Sequence, residues 1–155
     1  MKEQVNLKVA VELIPETSFY NNLRKVVSPT AWDMFRRDTY RKYNNKCGKC
    51  GVEGQSLDCH EIWHFNEENQ IQSLTGLIAV CKMCHHVIHH GYANILISQG
   101  KLDKRALINH FLTVNNCDEQ YYKEHVKAAF ALWRERSKKE WTVEMGDYYK
   151  FVMKK

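Results

Sequence analysis

Two Cys-x2-Cys pairs, Cys47/Cys50 and Cys81/Cys84, frame 30 intervening residues, and this spacing limits what the chain can fold into more than any other feature. A two-residue gap lets both sulfurs of one tight turn reach the same ion, and four thiolates at about 2.3 Å satisfy tetrahedral Zn2+. A structural zinc on Cys47, Cys50, Cys81 and Cys84 is therefore expected. The competing use of such thiols is in disulfides. The opening Met1-Lys2-Glu3-Gln4-Val5-Asn6 has no apolar leader stretch, so a cytoplasmic protein with reduced thiols is expected. The two remaining cysteines, Cys59 and Cys117, read as small buried apolar residues.

With 155 residues, 44% of them hydrophobic, the chain has material for one domain of ordinary size. No apolar run approaches the ~20 residues of a membrane span, and no membrane partner is expected. Charge is unevenly spread. Residues 21–50 hold eight basic side chains against Asp33 and Asp38, whereas 51–80 hold five acids and no Lys or Arg. A basic stretch beside an acidic, histidine-bearing one fits a protein that grips a polyanion with one part and a cation with another.

Ser28-Pro29 is a helix start, with the serine as N-cap and proline preset for the first turn, and Trp32, Phe35, Thr39 and Tyr43 mark its packed face to about residue 43. Arg36, Arg37, Arg41 and Lys42 lie on or near the opposite face, either merely solvated or in contact with phosphates. Leu57 to Phe65 and Gln70 to Val80 read as the strands of a hairpin turning at 66–69, and Cys81 to His90 as a short helix ended by Gly91. Leu7 to Ile14 reads as a strand or extended lead-in. Asp103 and Asp118 are N-caps of two further helices, to about residues 114 and 138, the second burying a wide stripe that includes Leu132. The aromatic-rich segment 141–155 is expected to dock.

Six of the eight histidines fall in Leu57-Asp58-Cys59-His60-Glu61-Ile62-Trp63-His64 and in Cys81-Lys82-Met83-Cys84-His85-His86-Val87-Ile88-His89-His90. Helix positions four apart share a face, so His85 and His89 can grip one metal together. His86 and His90 form the alternative pair, and the first is preferred.

In its order of Cys-x2-Cys, histidine strand, return strand, Cys-x2-Cys-His and a second histidine four residues on, the stretch 44–91 resembles the HNH endonucleases of the ββα-metal superfamily, in the version clasped by a four-cysteine zinc site. The resemblance implies an α+β fold: a zinc-clasped ββα core at 44–91, a strand and basic helix at 1–43 and a helical extension at 92–155, all packed as one domain. It further implies hydrolysis of DNA, or of RNA, with a strand histidine as general base and His85 and His89 holding a catalytic Mg2+, Mn2+, Ni2+ or Zn2+. Two alignments of the first strand are open. With Cys59-His60 as the active pair, His60 is the base; with His60-Glu61, His60 is a ligand and Glu61 takes the base position. The Asn of the family name, nine residues before the first helix histidine, falls on Gly76, and Thr75, Asn69 or Asn66 are candidates to replace its hydrogen bonds. The second reading is an inactive zinc module of the same build that binds nucleic acid or a protein, with conflict between phage and host as one setting for such a chain.

Overall fold

The computed structural model describes residues 6–153; residues 1–5 and 154–155, the outer ends of the predicted terminal segments, lie outside the described residues. The fold is mixed α+β. Its order is α1 (Leu23–Val26), α2 (Pro29–Lys42), β1 (Leu57–Asn66), β2 (Ile71–Cys81), α3 (Lys82–Ile88), α4 (His90–Ser98), α5 (Lys104–Asn115), α6 (Glu119–Arg136), β3 (Thr142–Glu144) and a 3-10 turn at Gly146–Phe151. Among the described residues, no helix is long and apolar enough to cross a membrane.

β1 and β2 form the expected antiparallel hairpin, and β3 adds to β2 in parallel. Register shifts between Ile62 and Trp63, where Ile62 pairs with Gly76 and Trp63 with Leu74. The extra residue, Thr75, donates its hydroxyl to the Ile62 carbonyl at 3.1 Å. Because side chains alternate along a strand, one inserted residue resets which face follows, and the bulge allows both Leu77 and Leu74 to enter the same core with Phe35, Leu23 and Val27. Ile78 and Val80 point the other way, into a larger core with Val9, Val87, Ile88, Leu107, Phe111 and Tyr122. The sheet thus divides two apolar clusters, and the larger draws on all three stretches of chain.

The three N-caps form as expected: Ser28 accepts from the Ala31 amide, Asp103 from those of Arg105 and Ala106, and Asp118 from that of Tyr121. Several expectations need correction. Gly91 does not end a helix. The α3 turn breaks at His89 (φ −92°, ψ 58°), and Gly91 lies inside α4, because Ala93 and Ile97, four residues apart, continue a packed helical face beyond it. α1 and β3 carry too few residues for a periodic signal. On α6, Tyr122 is buried but Leu132 is exposed, since the core reaches only the first half of that helix.

Residues 7–15 form no strand. They are an arm held by side chains. Asn115 accepts from the Lys8 and Val9 amides (2.8 and 3.1 Å) and donates to the Val9 carbonyl (2.9 Å). The Val11 amide donates to His125 Nε2 (3.0 Å), and the Glu12 amide to the Ile88 carbonyl (2.9 Å). Trp133 donates to the Ile14 carbonyl (2.9 Å). Side chains here do for the backbone what a neighbouring strand would do. Replacing Asn115 with Ala leaves buried backbone groups unpaired and is expected to destabilise the fold by about 2–3 kcal/mol, read as a lower midpoint in urea denaturation with an unchanged slope.

Candidate metal centres

The first centre grows from two tight turns. At 47–51 the Lys49 and Cys50 amides point at Cys47 Sγ, both at 3.4 Å, and the Gly51 amide donates to the Cys47 carbonyl at 2.9 Å. Gly51 adopts φ +80°, which glycine reaches without steric cost. Gly48 is required for a different reason: a Cβ there would lie 2.7 Å from the Ile78 side chain and 2.8 Å from that of Tyr43. The turn is pressed onto the sheet, where the Gly48 amide reaches the Ala79 carbonyl at 2.7 Å. In the second turn Cys81 ends β2, and its sulfur accepts from the Cys84 amide at 3.4 Å.

The ligand atoms of Cys47, Cys50, Cys81 and Cys84 all lie within 4.8 Å of one another, so the four thiols expected to share an ion come together. Cys50 Sγ and Cys81 Sγ are 3.7 Å apart. That is far beyond a disulfide, and it matches the edge of about 3.8 Å that a tetrahedron with 2.3 Å Zn–S bonds requires. Electrostatics give the same answer. Hydrogen bonds from Cys81 and Cys84 hold the Cys47 thiol far below its ordinary range, while sharing with Cys47 pushes Cys81 up to about 11 and Cys84 higher still. Packed thiolates repel, and a cation is what lets all four ionise together. The cluster can hold a metal such as zinc. Outside it, His110 Nε2 lies 3.2 Å from Cys84 Sγ, a partner the sequence does not advertise because 26 residues separate them.

The second cluster lies on the α3 side of β1. His60, His85 and His89 also place their ligand atoms within 4.8 Å of one another, with ring centroids 4.6 to 5.6 Å apart. Asp58, two residues before His60 and so on the same face of β1, meets His85 Nδ1 at 2.8 Å and also pairs with Lys82. The His85 hydrogen bond leads in holding the Asp58 carboxyl down to about 2. A carboxylate on Nδ1 fixes the ring and leaves Nε2 for a metal. Burial, reinforced by the neighbouring His60 and His85, drives His89 down to about 3, so it is a neutral imidazole at physiological pH. The donor set therefore suits a divalent ion. Glu12, which no sequence pattern singles out, brings Oε2 to 3.1 Å from His60 Nε2.

The other residues that the sequence singles out lie elsewhere. Glu61 points to the opposite face of β1, where it accepts from the Leu23 amide at 2.6 Å and weakly from that of Arg24 at 3.4 Å. His90 is buried against Tyr122 (2.6 Å), and His86 is outside the cluster. Burial pushes the Cys59 thiol up to about 11, as befits an inert cysteine. On α2, Arg36 and Arg37 both pair with Asp33, and Arg41 with Asp38; Lys42 is exposed at the last turn. Arg36, with Arg24, Trp32 and Tyr40, lines a cleft of about 700 Å³ that also reaches Asp58 and His85.

The chain matches no family model, no curated protein and no solved structure, so any functional reading rests on these geometries. For the thiol cluster the expected outcome is one zinc per chain by elemental analysis. Cys81→Ser removes one of the four thiols while leaving a side chain that can still cap α3, and should either abolish soluble protein or lower the melting temperature by more than about 10 °C, on the order of 2–4 kcal/mol for a domain of this size.

Proposed function

We propose that the chain is a metal-dependent HNH-type endonuclease that hydrolyses phosphodiester bonds in DNA. The observation that carries this reading is the meeting of His60 from the strand with His85 on α3 and His89 at its C-cap, beside a four-sulfur cluster that joins the same hairpin and helix. Phosphodiester hydrolysis needs an oriented water, a base with a pKa near working pH and stabilisation of charge on the phosphoryl and leaving oxygens. A divalent ion on His85 and His89 supplies the last of these when bound. Glu61 is occupied by the amides of α1, which favours His60 as the base. His60, 4% exposed, is shielded from bulk water.

Substrate would be held by charge without base readout. Arg24 and Arg36 border the cleft leading to His85. The ion pairs along α2 reduce the local field of Arg36, Arg37 and Arg41, so the affinity expected from this helix falls short of what four free cations would give. Gly76 favours the second reading, a clasped module that binds nucleic acid and does not cut it. A Cβ there would meet only Ile62 Cδ1 at 3.8 Å, so the backbone at this position does not itself demand a glycine.

The test is incubation of purified protein with supercoiled plasmid, with and without Mg2+, Mn2+ or Ni2+. Cleavage that requires the ion is expected. His60→Ala should reduce it by about 10² or more; His85→Ala and His89→Ala should lose activity in a way that excess ion partly restores; His86→Ala should be nearly silent. Binding of DNA by wild type with no cleavage under any of these ions selects the second reading.

A further inference from the structure

We infer that Glu12, delivered by the N-terminal arm, is the positioning residue for His60: its carboxylate holds the proton on Nε2 and leaves Nδ1 as the basic nitrogen. This rests on the nuclease reading for its purpose, though the pairing itself is a matter of geometry. Among the described residues, three carboxylates stand near the histidine cluster, Asp58, Glu61 and Glu12. Asp58 is committed to His85 and Lys82, and Glu61 to the amides of α1. Glu12 alone among these directs an oxygen at His60, 3.1 Å from Nε2.

The arm explains why that contact is reproducible. Glu12 is partly exposed, and a long exposed side chain is ordinarily free to wander. Its backbone is not free. The Glu12 amide is bonded to the Ile88 carbonyl, one residue before His89, and the preceding Val11 amide to His125. Further back, Asn115 makes three hydrogen bonds with residues 8 and 9, and beyond Glu12, Trp133 holds the Ile14 carbonyl. The arm is fastened on both sides of one carboxylate, and that carboxylate meets a buried imidazole.

A neutral imidazole has one donor and one acceptor nitrogen, and a carboxylate can only accept. The partner of Nε2 therefore decides which nitrogen is left to take a proton, as the group that orients a catalytic histidine does in general. The base is thus completed by a residue 48 positions away in sequence, outside the hairpin and helix that carry the other groups.

The first measurement is the His60 tautomer in the zinc-loaded full chain without a second metal, from long-range 1H–15N correlations of the imidazole at about pH 8. The Nε2–H pattern is expected in wild type and in Glu12→Gln, whose amide oxygen still accepts, and its loss is expected in Glu12→Ala. The second is a mutant cycle on cleavage. Glu12→Ala should lower the single-turnover rate at least about tenfold with DNA affinity changed by less than about twofold, and should have no further effect in a His60→Ala background. An Nδ1–H tautomer in wild type, an unaltered tautomer in Glu12→Ala, or an equal rate loss in the His60→Ala background would each overturn the inference and leave the nuclease reading in place. Wild type that shows the expected tautomers and cuts no DNA removes the nuclease reading and keeps the pairing.

Discussion

Cys81 is the last residue of β2, the N-cap of α3 and one of four sulfurs gathered within 4.8 Å. Everything on the α3 side of the sheet depends on that coincidence. The sulfur cluster joins the turn before the hairpin to its final residue, and so fixes both the register of the hairpin ends and the point where strand becomes helix. A two-stranded ribbon is marginal alone. Here its far end is closed by ionisable groups that repel one another unless a cation lies between them, so the local fold and the occupancy of that cluster are one equilibrium. The position of His85 follows directly: it is four residues past Cys81 and lies on the first full turn of the helix, where it meets Asp58 on β1, the partner of the strand that Cys81 ends.

The sheet bulge has the complementary role on the other face. With Thr75 inserted opposite the Ile62–Trp63 step, Leu74 and Leu77 share a core with Phe35, which seats α2 against the hairpin. Without the shift, one leucine would turn toward the α3 side and α2 would lose part of its apolar seat. The bulge begins two residues beyond His60, so the ladder is regular from the thiol end through Glu61. The irregularity is kept away from the residues that must hold fixed distances.

What was legible in the sequence was local or had a chemical stamp. The Cys-x2-Cys pairs, the hairpin between them, the i, i+4 histidines and the caps Ser28, Asp103 and Asp118 each combine a short spacing with a residue type that does one thing well. What was not legible depended on distance or on competition. Gly91 looks like a stop, but glycine only permits a left-handed end and does not impose one; with Ala93 and Ile97 following at helical spacing, continuation wins. Glu61 looks like an active-site carboxylate beside His60, but adjacent strand residues face opposite ways, and the amides of α1, itself too short to be seen in the sequence, take it. The arginines of α2 look like a phosphate-binding face until Asp33 and Asp38, one turn away, are counted with them. Glu12 has no pattern at all: the residues that place its arm are Asn115, His125 and Trp133, more than a hundred positions on.

This last dependence enlarges the unit on which the histidine cluster relies. His60, His85 and His89 can be brought together by the hairpin, the thiols and α3, all within residues 47–89. The arm that carries Glu12 docks fully only once α5 and α6 exist, because its hydrogen bonds, apart from that of the Glu12 amide to the Ile88 carbonyl, end on their side chains. The helical C-terminal third is therefore more than a cover for Phe111 and the larger core. It is the surface on which the N-terminal arm is hung, and the geometry around His60 is the sum of a compact local unit and a long-range closure of the two ends of the chain. Loosening α6 against α5 would release the Val11 and Ile14 fastenings on either side of Glu12, the one carboxylate among the described residues directed at His60, without touching the four sulfurs.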